Sequence, residues 1–491
     1  MIWSEISLVS TLPIYRFNSF NCSFKSWKKN LFLLLLYFFS ITSLLAKPVL
    51  FSNVYIWDSE LMEFSESKDI WVERGKIFKI QPSSNDKSQA GYVLPGFCDA
   101  YVTLGVNPWG GEAGVDGLKV ALQSFLVHGF TNIESIGDGP WIQKVQGYIE
   151  KNQWKGPLIH QTAAPIITKQ KQEISSSLYK SISSDQELEN YLSLNLGRRL
   201  HIFHRNEEGY IPDLRTLYKL RADQARSYHW VLHTFADPFS SREALATEWQ
   251  TIFHPIHSEA SNFQLKKIRW APLLSVYFFQ TIRKEKLWLE QRNEFIKKSP
   301  FFQISYEEIS KTFPESFSYS EEDLSLAKQD FQEYRSEFRS RPILYERMLF
   351  ASGSGYPLVY PGMGAWKEVQ IWEEFLSDLK EDNKSPIEEQ SEKENSPFAF
   401  WNNLFGSEQM LEIAPIRKDI GKIPQSRKIL VKALTKNSCE FVQASHQGRI
   451  AVGLDANFNF YKRNPLALKD LLLFPDSVYQ RGNLVSGKPV K

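Results

Sequence analysis

Strands and helices alternate along the chain from Pro95 onward, and this alternation constrains the fold more than any other feature of the sequence. Apolar, β-branched runs are separated by stretches of helical periodicity. The predicted strands include 131–136, 158–163, 200–204, 229–234 and 251–254, and the predicted helices include 117–128, 141–150, 211–226, 242–249 and 364–376. Such an order predicts βα units around a parallel sheet, and therefore an α/β protein.

Both ends of the chain differ from this middle part, because they carry strands alone. At the beginning, residues 49–57 are apolar and β-branched, and two further strands flank the hairpin-like turn Glu73-Arg74-Gly75. At the end, short strands are predicted around 456–461 and 477–485. A chain of 491 residues is long enough for two or three domains. This order favours a barrel with a two-part accessory domain over two consecutive domains.

An N-terminal segment has the features of an export signal. Lys25, Lys28 and Lys29 precede an apolar run at 31–45, and Ala46 then stands before Lys47. The run is shorter than the ~20 residues that a membrane-spanning helix needs. We therefore predict an N-terminal extension with a signal peptide at 1–46 and export to the periplasm or cell envelope. The alternative is an uncleaved segment that anchors the protein to the membrane.

Charge and cysteine content limit the remaining possibilities. Lys and Arg (58) nearly balance Asp and Glu (56), for a formal charge of +2, which argues against a nucleic-acid-binding protein. Cys98 and Cys439 either pair in an oxidising compartment or stay as two buried thiols, and the sequence leaves both open.

Two segments of the chain stand apart from the alternating strands and helices. Residues 277–341 predict a helical insertion. The highly charged stretch 378–397 contains no aromatic residue and predicts a disordered linker.

Several segments in a shared order resemble the amidohydrolase superfamily, in its imidazolonepropionase and Xaa-Pro dipeptidase-like branch. They include Pro-Gly-Phe-Cys-Asp-Ala-Tyr-Val-Thr-Leu at 95–104, His-Gly-Phe-Thr-Asn-Ile-Glu-Ser-Ile-Gly-Asp at 128–138, the segment 448–466 and Val-Tyr-Gln-Arg-Gly-Asn-Leu-Val at 478–485. The resemblance implies a TIM-like (β/α)8 barrel at 95–445 and a small composite β-sandwich built from residues 47–94 and 446–491. It also implies metal-dependent hydrolysis at the C-terminal ends of the barrel strands.

Most metal-binding positions of that family are substituted in this chain. Tyr101 and Thr103 occupy the places of the two histidines after the first strand, and Gly353 falls on the aspartate after the eighth strand. Neither a phenol nor a hydroxyl is a routine zinc ligand. His204 stands near the place of the bridging lysine after the fourth strand. It binds a metal there, or it is a strand-end histidine with local hydrogen bonds. The resemblance gives Asp99 a structural role.

Two family ligands remain, since His233 and His254 match the histidines after the fifth and sixth strands. A catalytic zinc site normally has three protein ligands and an open position. Two imidazoles fall short of that number, so the pair is interpreted as a vestigial metal site.

The sequence therefore predicts an exported, amidohydrolase-like protein without a cofactor, which serves as a binding protein or scaffold without catalysis. Its partner would be a small molecule or a peptide, with no nucleic acid and no membrane contact beyond an uncleaved signal. The alternative is a divergent hydrolase that holds one divalent metal such as zinc and acts on non-peptide C–N bonds or dipeptides. Whether the protein is an enzyme stays open. The candidate pocket residues are His233, His254, His204, Tyr101, Thr103 and Gly353.

Overall fold

The structure is a computed structural model that describes most of the chain after residue 47. The described residues are 48–83, 91–109, 111, 113–138, 141–167, 180–195, 199–204, 230–256, 262–299, 313, 315–377, 423–467 and 471–489. The predicted extension 1–46, the predicted helix 211–226 and the predicted linker 378–397 lie outside these residues.

Sixteen strands run through the described residues. They are β1 (Val49–Asp58), β2 (Glu63–Glu73), β3 (Lys76–Pro82), β4 (Gly91–Pro95), β5 (Phe97–Val102), β6 (Phe130–Ser135), β7 (Leu158–Gln161), β8 (Ile166–Ile167), β9 (Lys180–Ser181), β10 (Leu200–Phe203), β11 (Trp230–His233), β12 (Thr251–Phe253), β13 (Arg269–Ala271), β14 (Phe458–Tyr461), β15 (Ser477–Gln480) and β16 (Asn483–Gly487).

The α-helices that the structure describes follow the middle strands. They are α1 (Val115–Val127), α2 (Ile142–Glu150), α3 (Asp185–Leu194), α4 (Pro238–Ala246), α5 (Asn262–Leu265), α6 (Leu274–Thr281), α7 (Glu285–Lys298), α8 (Glu321–Arg339), α9 (Met363–Phe375), α10 (Gln425–Lys432) and α11 (Ser438–Phe441). Short 3-10 turns lie at Glu315–Phe317 and Pro342–Arg347, and a π-helical turn at Ala433–Asn437 joins α10 to α11. No helix of the described residues is long and apolar enough to cross a membrane.

A seven-stranded sheet draws its strands from both ends of the chain, in the order β16-β15-β14-β4-β1-β2-β3. The predicted turn joins β2 to β3, with φ of 49° at Arg74 and 81° at Gly75. Arg481 and Gly482 repeat these positive values between β15 and β16. Two successive residues with positive φ form the turn that matches the twist of a two-residue hairpin. The hairpin predicted at 73–75 is confirmed.

The middle of the chain forms two parallel sheets, one in the order β13-β12-β11-β10-β8-β9 and one in the order β5-β6-β7. The prediction of a mixed α/β protein with parallel strands is confirmed. Hydrogen bonds also join the sheets. The Ala163 amide donates to the Arg199 carbonyl (3.0 Å), just before β10. Leu349 donates to Trp270 in β13 (2.8 Å), and Ala100 in β5 donates to Phe350 (2.9 Å).

The segment around 348–354 therefore lies between β13 and β5. It pairs only through isolated bridges, such as Val102 with Ser354 and Trp270 with Met348. Residues 349–351 have the apolar sequence of a strand, but they belong to no regular strand of the structure. Gly353 and Gly355 have φ of 64° and 100°, and this conformation bends the backbone away from an extended strand.

Helix boundaries follow from local capping. Ser320 begins α8 with a capping box, in which its hydroxyl accepts from the Asp323 amide. The predicted helix 242–249 is displaced, because α4 begins earlier, at Pro238. The Asp237 carboxylate accepts from the Ser240 amide (2.7 Å), and proline is favoured in the first turn of a helix.

Helices of the predicted insertion pack into the same apolar core as the parallel strands. Trp288 of α7 and Phe338 of α8 are fully buried and belong to one cluster with Phe97, Ile133 and Leu232 of the parallel strands. Their burial makes these helices part of the main core. Deleting the insertion would therefore expose that core to water.

A disulfide bond joins Cys98 in β5 to Cys439 in α11, and both residues are fully buried. The sequence left open whether these residues pair or stay as thiols, and the structure shows the pair. The crosslink spans 341 positions of sequence. It ties the C-terminal helix to the first strand of the parallel part of the fold.

Removal of this disulfide should destabilise the protein by about 2–4 kcal/mol, because the bond restricts the unfolded chain. In urea denaturation, the Cys98→Ala/Cys439→Ala variant should unfold at lower urea concentration than the wild type. Reductant should lower the midpoint of the wild type and leave that of the double variant unchanged. His446→Ala, at an exposed residue, is the control and should keep the response to reductant. Equal midpoints for wild type and double variant would contradict the prediction.

Candidate functional site

The two histidines predicted from strands five and six lie side by side in the interior. His233 ends β11, and His254 directly follows β12 with φ of 79°. The two strands are parallel neighbours, with His233 opposite Phe253. This register brings His233 Nδ1 to 3.1 Å from His254 Nε2. Both side chains are completely buried.

A third histidine, which the sequence analysis missed, extends this pair. His201 in β10 places its Nδ1 2.8 Å from His233 Nε2. Its other nitrogen, Nε2, lies 3.0 Å from Glu134 Oε1. Glu134 belongs to β6 and also forms an ion pair with Arg199, whose Nε lies 2.7 Å from Oε2. All of these side chains are buried.

One sequence signal could have found these residues. The strand 200–203 contains a histidine at its second position, in phase with Phe203, and alternate residues of a strand share a face. Glu134 is the one charged residue of the strand 130–135. Acidic residues are almost never fully buried unless they have a partner, so a partner such as Arg199 could be expected.

Two tyrosines approach the outer end of the histidine cluster. Tyr277 of α6 has its hydroxyl 2.9 Å from His254 Nδ1, and the Tyr356 hydroxyl lies 3.4 Å from His254 Nε2. Both tyrosines are partly exposed. Tyr277 also packs against Tyr334 of α8, with ring centroids 4.7 Å apart. The predicted insertion therefore contributes directly to the surroundings of His254.

His204 does not join the other histidines. Its Nδ1 lies 2.7 Å from the Ser240 hydroxyl, and its Nε2 lies 3.6 Å from Glu243 Oε2. Both partners belong to α4, on the outer side of the strand end. The Ser240 contact is a hydrogen bond, as in the second of the two alternatives given for this residue, and the Glu243 contact is within ion-pair distance.

The positions of the family's other ligands are filled by packing groups. The Tyr101 ring lies 5.4 Å from the His233 ring and is stacked on Tyr356, also at 5.4 Å. Only 2% of Tyr101 is exposed. At Gly353, a Cβ atom would overlap the Val276 Cγ2 atom. A carboxylate side chain therefore has no room at this position in the observed backbone conformation.

Thr103 lies apart from the histidines and lines a separate cavity of about 330 Å³. The other lining residues include Asn107, Gly114, Asp116 and Pro361, between the end of β5 and the beginning of α1. The structure thus brings His233, His254 and Tyr101 together, with Gly353 nearby at Tyr356. It separates His204 and Thr103 from this cluster.

Burial controls the charge of the histidine cluster. Loss of water contact lowers the pKa of His201, and the neighbouring Glu134 opposes this effect. Burial lowers the pKa of His233 well below its ordinary value, and the adjacent His201 and His254 lower it further. At His201 the effect of burial is larger than that of Glu134, and His233 has no carboxylate beside it. Both imidazoles are therefore neutral at pH 7.

The arrangement does not fit a family-type metal ion. His233 directs one nitrogen to His201 and the other to His254, so the ring nitrogens do not converge on one point. Glu134 has both oxygens engaged by His201 and Arg199. Among the residues that the structure describes, no group of three or more His, Cys, Asp or Glu side chains is placed to hold a metal.

Asp99 has a structural position beneath the cluster. Its Oδ1 accepts from the Tyr101 amide (3.1 Å) and from the Ser352 amide (3.0 Å). It therefore ties β5 to the bent segment that carries Gly353. Complete burial raises the pKa of Asp99 to about 7, against an ordinary value of 3.8. The hydrogen bonds from Ser352 and Tyr101 oppose this shift.

The raised pKa of Asp99 predicts how stability depends on pH. The folded state holds the Asp99 proton more tightly than the unfolded state, so its contribution is largest below about pH 4 and is lost as pH rises through about 7. The Asp99→Asn variant does not titrate. The unfolding free energy of the wild type, relative to this variant, should fall by about 4 kcal/mol at most across that range. Urea denaturation at several pH values measures it.

The exposed residue Asp116 supplies the control for this measurement. Asp116→Asn should show the same pH dependence as the wild type, because its carboxylate is largely in water. A constant difference between wild type and Asp99→Asn from pH 4 to pH 8 would contradict the assigned shift.

Solved structures of amidohydrolases resemble this fold over nearly its whole length. A putative prolidase from Bifidobacterium longum is 14% identical, covers 91% of this chain and 97% of its own, and has a TM-score of 0.58. A Xaa-Pro dipeptidase with bound methionine in the active site is 15% identical, covers 89% of this chain and 99% of its own, and has a TM-score of 0.56. Bottromycin amidohydrolase is 16% identical, covers 90% of this chain and 87% of its own, and has a TM-score of 0.56.

Sequence comparison adds nothing to this likeness. No protein-family model matches the chain, and no curated protein matches it. At 14–16% identity, the structural likeness describes the fold and leaves the chemistry open. The chain has the fold of the amidohydrolase superfamily.

Proposed function

We propose that this chain is an exported protein that uses an amidohydrolase fold for binding or as a scaffold, without metal-dependent catalysis. One observation carries the proposal: the two nitrogens of His233 are both engaged by neighbouring histidines. In a hydrolase of this fold, such nitrogens would have to face a common ion. Tyr101 and Val276 occupy the surrounding space.

The proposed architecture is a closed (β/α)8 barrel. Hydrogen bonds support the closure at two places, between Ala163 and Arg199 and around 349–354. The latter segment would serve as an eighth, irregular strand between β13 and β5. The seven-stranded sheet would be the composite β-domain formed by residues 47–94 and 446–491. Both parts of that sheet pair directly, since β14 is antiparallel to β4.

Export is supported by two independent features. Lysines and an apolar run in residues 1–46 have the order of a signal peptide. The buried disulfide between Cys98 and Cys439 is the second, because such bonds persist in oxidising compartments outside the cytosol. The periplasm or cell envelope satisfies both.

The ligand would be a small molecule or a short peptide. The cavity of about 330 Å³ at Thr103 and Asn107 lies within the size range of small-molecule sites. Solved structures with this fold include a Xaa-Pro dipeptidase, so a dipeptide is a reasonable first ligand. The alternative function, a hydrolase with one divalent metal acting on dipeptides or other C–N bonds, makes the opposite prediction about metal content.

Metal analysis of the purified full-length chain tests the proposal. We expect less than stoichiometric zinc, manganese or other divalent metal, because the histidine nitrogens are engaged with each other. We also expect no hydrolysis of Xaa-Pro dipeptides above the buffer rate, with or without added zinc. His233→Ala should change neither result.

One pattern of metal content would contradict the proposed function. Stoichiometric metal in the wild type, lost in His233→Ala and retained in the exposed-residue control His446→Ala, would overturn the proposal. Dipeptide hydrolysis that follows the same pattern would establish the alternative.

A further inference from the structure

Five side chains form one continuous series of contacts through the interior. From the inside outward they are Glu134, His201, His233, His254 and Tyr277. The four successive polar contacts measure 3.0, 2.8, 3.1 and 2.9 Å. Each distance lies within the range of a hydrogen bond.

The direction of these hydrogen bonds follows from the inner end. Glu134 forms an ion pair with Arg199, and an ionised carboxylate only accepts hydrogen bonds. His201 must therefore carry its proton on Nε2 and donate it to Glu134. A neutral imidazole has one N–H and one lone pair, so His201 Nδ1 is an acceptor.

The same rule fixes the next two histidines. His233 must donate from Nε2 to His201 Nδ1, which leaves His233 Nδ1 as an acceptor. His254 in turn donates from Nε2 to His233 Nδ1. In its neutral form, His254 accepts at its remaining nitrogen, Nδ1, from the Tyr277 hydroxyl. Every bond in the series then points toward Glu134, and each of the three rings uses both of its nitrogens.

Burial makes a change in the direction of these hydrogen bonds costly. The three histidines are fully buried, so bulk water does not compete for their ring nitrogens. A buried donor or acceptor without a partner costs about 1–3 kcal/mol. Reversing His201 or His233 alone would leave two donors facing each other on one side and two acceptors on the other. Reversing His254 alone would leave two facing acceptors, His254 Nε2 and His233 Nδ1, since the Tyr277 hydroxyl can either donate or accept. The rings can therefore change direction only together.

We infer that these five side chains form a polarised hydrogen-bond relay, whose direction is set by the Glu134–Arg199 ion pair and which fixes the hydroxyl of Tyr277. Tyr277 belongs to α6, the first helix of the insertion, and it is the partly exposed end of the series. The relay connects this helix to the barrel interior, where an amidohydrolase would hold its metal. The inference rests on the proposed function, since a metal would need the same nitrogens.

The Glu134→Gln variant should reverse the relay. Arg199 can only donate through Nε, so it selects the amide oxygen of the glutamine. The amide NH2 then faces His201 Nε2, which must become an acceptor. His201, His233 and His254 should all change to the tautomer protonated on Nδ1. The Tyr277 hydroxyl should then accept from His254.

Nitrogen-15 NMR of the histidine side chains, on the metal-free full chain, measures this change. We expect wild-type His201, His233 and His254 to carry the proton on Nε2, and Glu134→Gln to exchange the Nε2 and Nδ1 signals of all three. Glu373→Gln is the matched control. Glu373 of α9 also pairs with an arginine, since its Oε1 lies 3.2 Å from Arg427 Nε and its side chain is 10% exposed. The pair joins α9 to α10 and does not touch the histidines, so the histidine signals should not change.

A second variant keeps the test decisive if Glu134→Gln does not fold. Tyr277→Phe removes the outermost donor, and the direction set at Glu134 should persist, with His201 and His233 still protonated on Nε2. Protonation on Nδ1 in this variant, or in the metal-free wild type, would overturn the relay. A reversal confined to His201 in Glu134→Gln would also overturn it.

These outcomes separate the relay from the proposed function. A metal-free protein with the wrong tautomers contradicts the relay alone. A purified protein that holds one zinc per chain, with metal-shifted signals for His233 and His254, contradicts the proposed function as well.

Discussion

The ion pair between Arg199 and Glu134 is the interaction on which the polar interior depends. Moving two charges out of water costs several kcal/mol each, and only close geometry and further hydrogen bonds offset this cost. Here Arg199 lies flat on the Phe441 ring, 3.7 Å from its centre, and also donates to the Phe441 carbonyl. Glu134 receives a second hydrogen bond from His201. Each charge of the pair therefore has a further stabilising contact, Arg199 with Phe441 and Glu134 with His201.

The disulfide and the histidine cluster are connected through this pair. Phe441 belongs to α11, and α11 is held to β5 by the bond between Cys98 and Cys439. The C-terminal helix thus supplies both the ring and the carbonyl that stabilise Arg199. A covalent bond between distant parts of the sequence helps to keep a buried charge in place. This explains how a helix of only four residues is held in place against β5.

The sequence allowed prediction of those features that depend on local signals. The turn at Arg74-Gly75 follows from a short-range pattern, and His233 and His254 were singled out through the family resemblance. His201 was missed because its strand contains two histidines, and only the register of β10 decides which of them faces inward. Glu134 was missed because its partner, Arg199, is distant in sequence. Local patterns mark both residues as unusual, but their partners are set by tertiary contacts.

The position of the insertion and the glycine at 353 depend on each other. A side chain at Gly353 would overlap Val276, and Val276 lies next to Tyr277 on α6. Moving α6 outward to admit a carboxylate would withdraw the Tyr277 hydroxyl from His254. Conversely, the close approach of α6 that lets Tyr277 reach His254 requires a glycine at 353. One packing arrangement therefore supplies a partner for the outer histidine and excludes the acidic group that an amidohydrolase would place beside it.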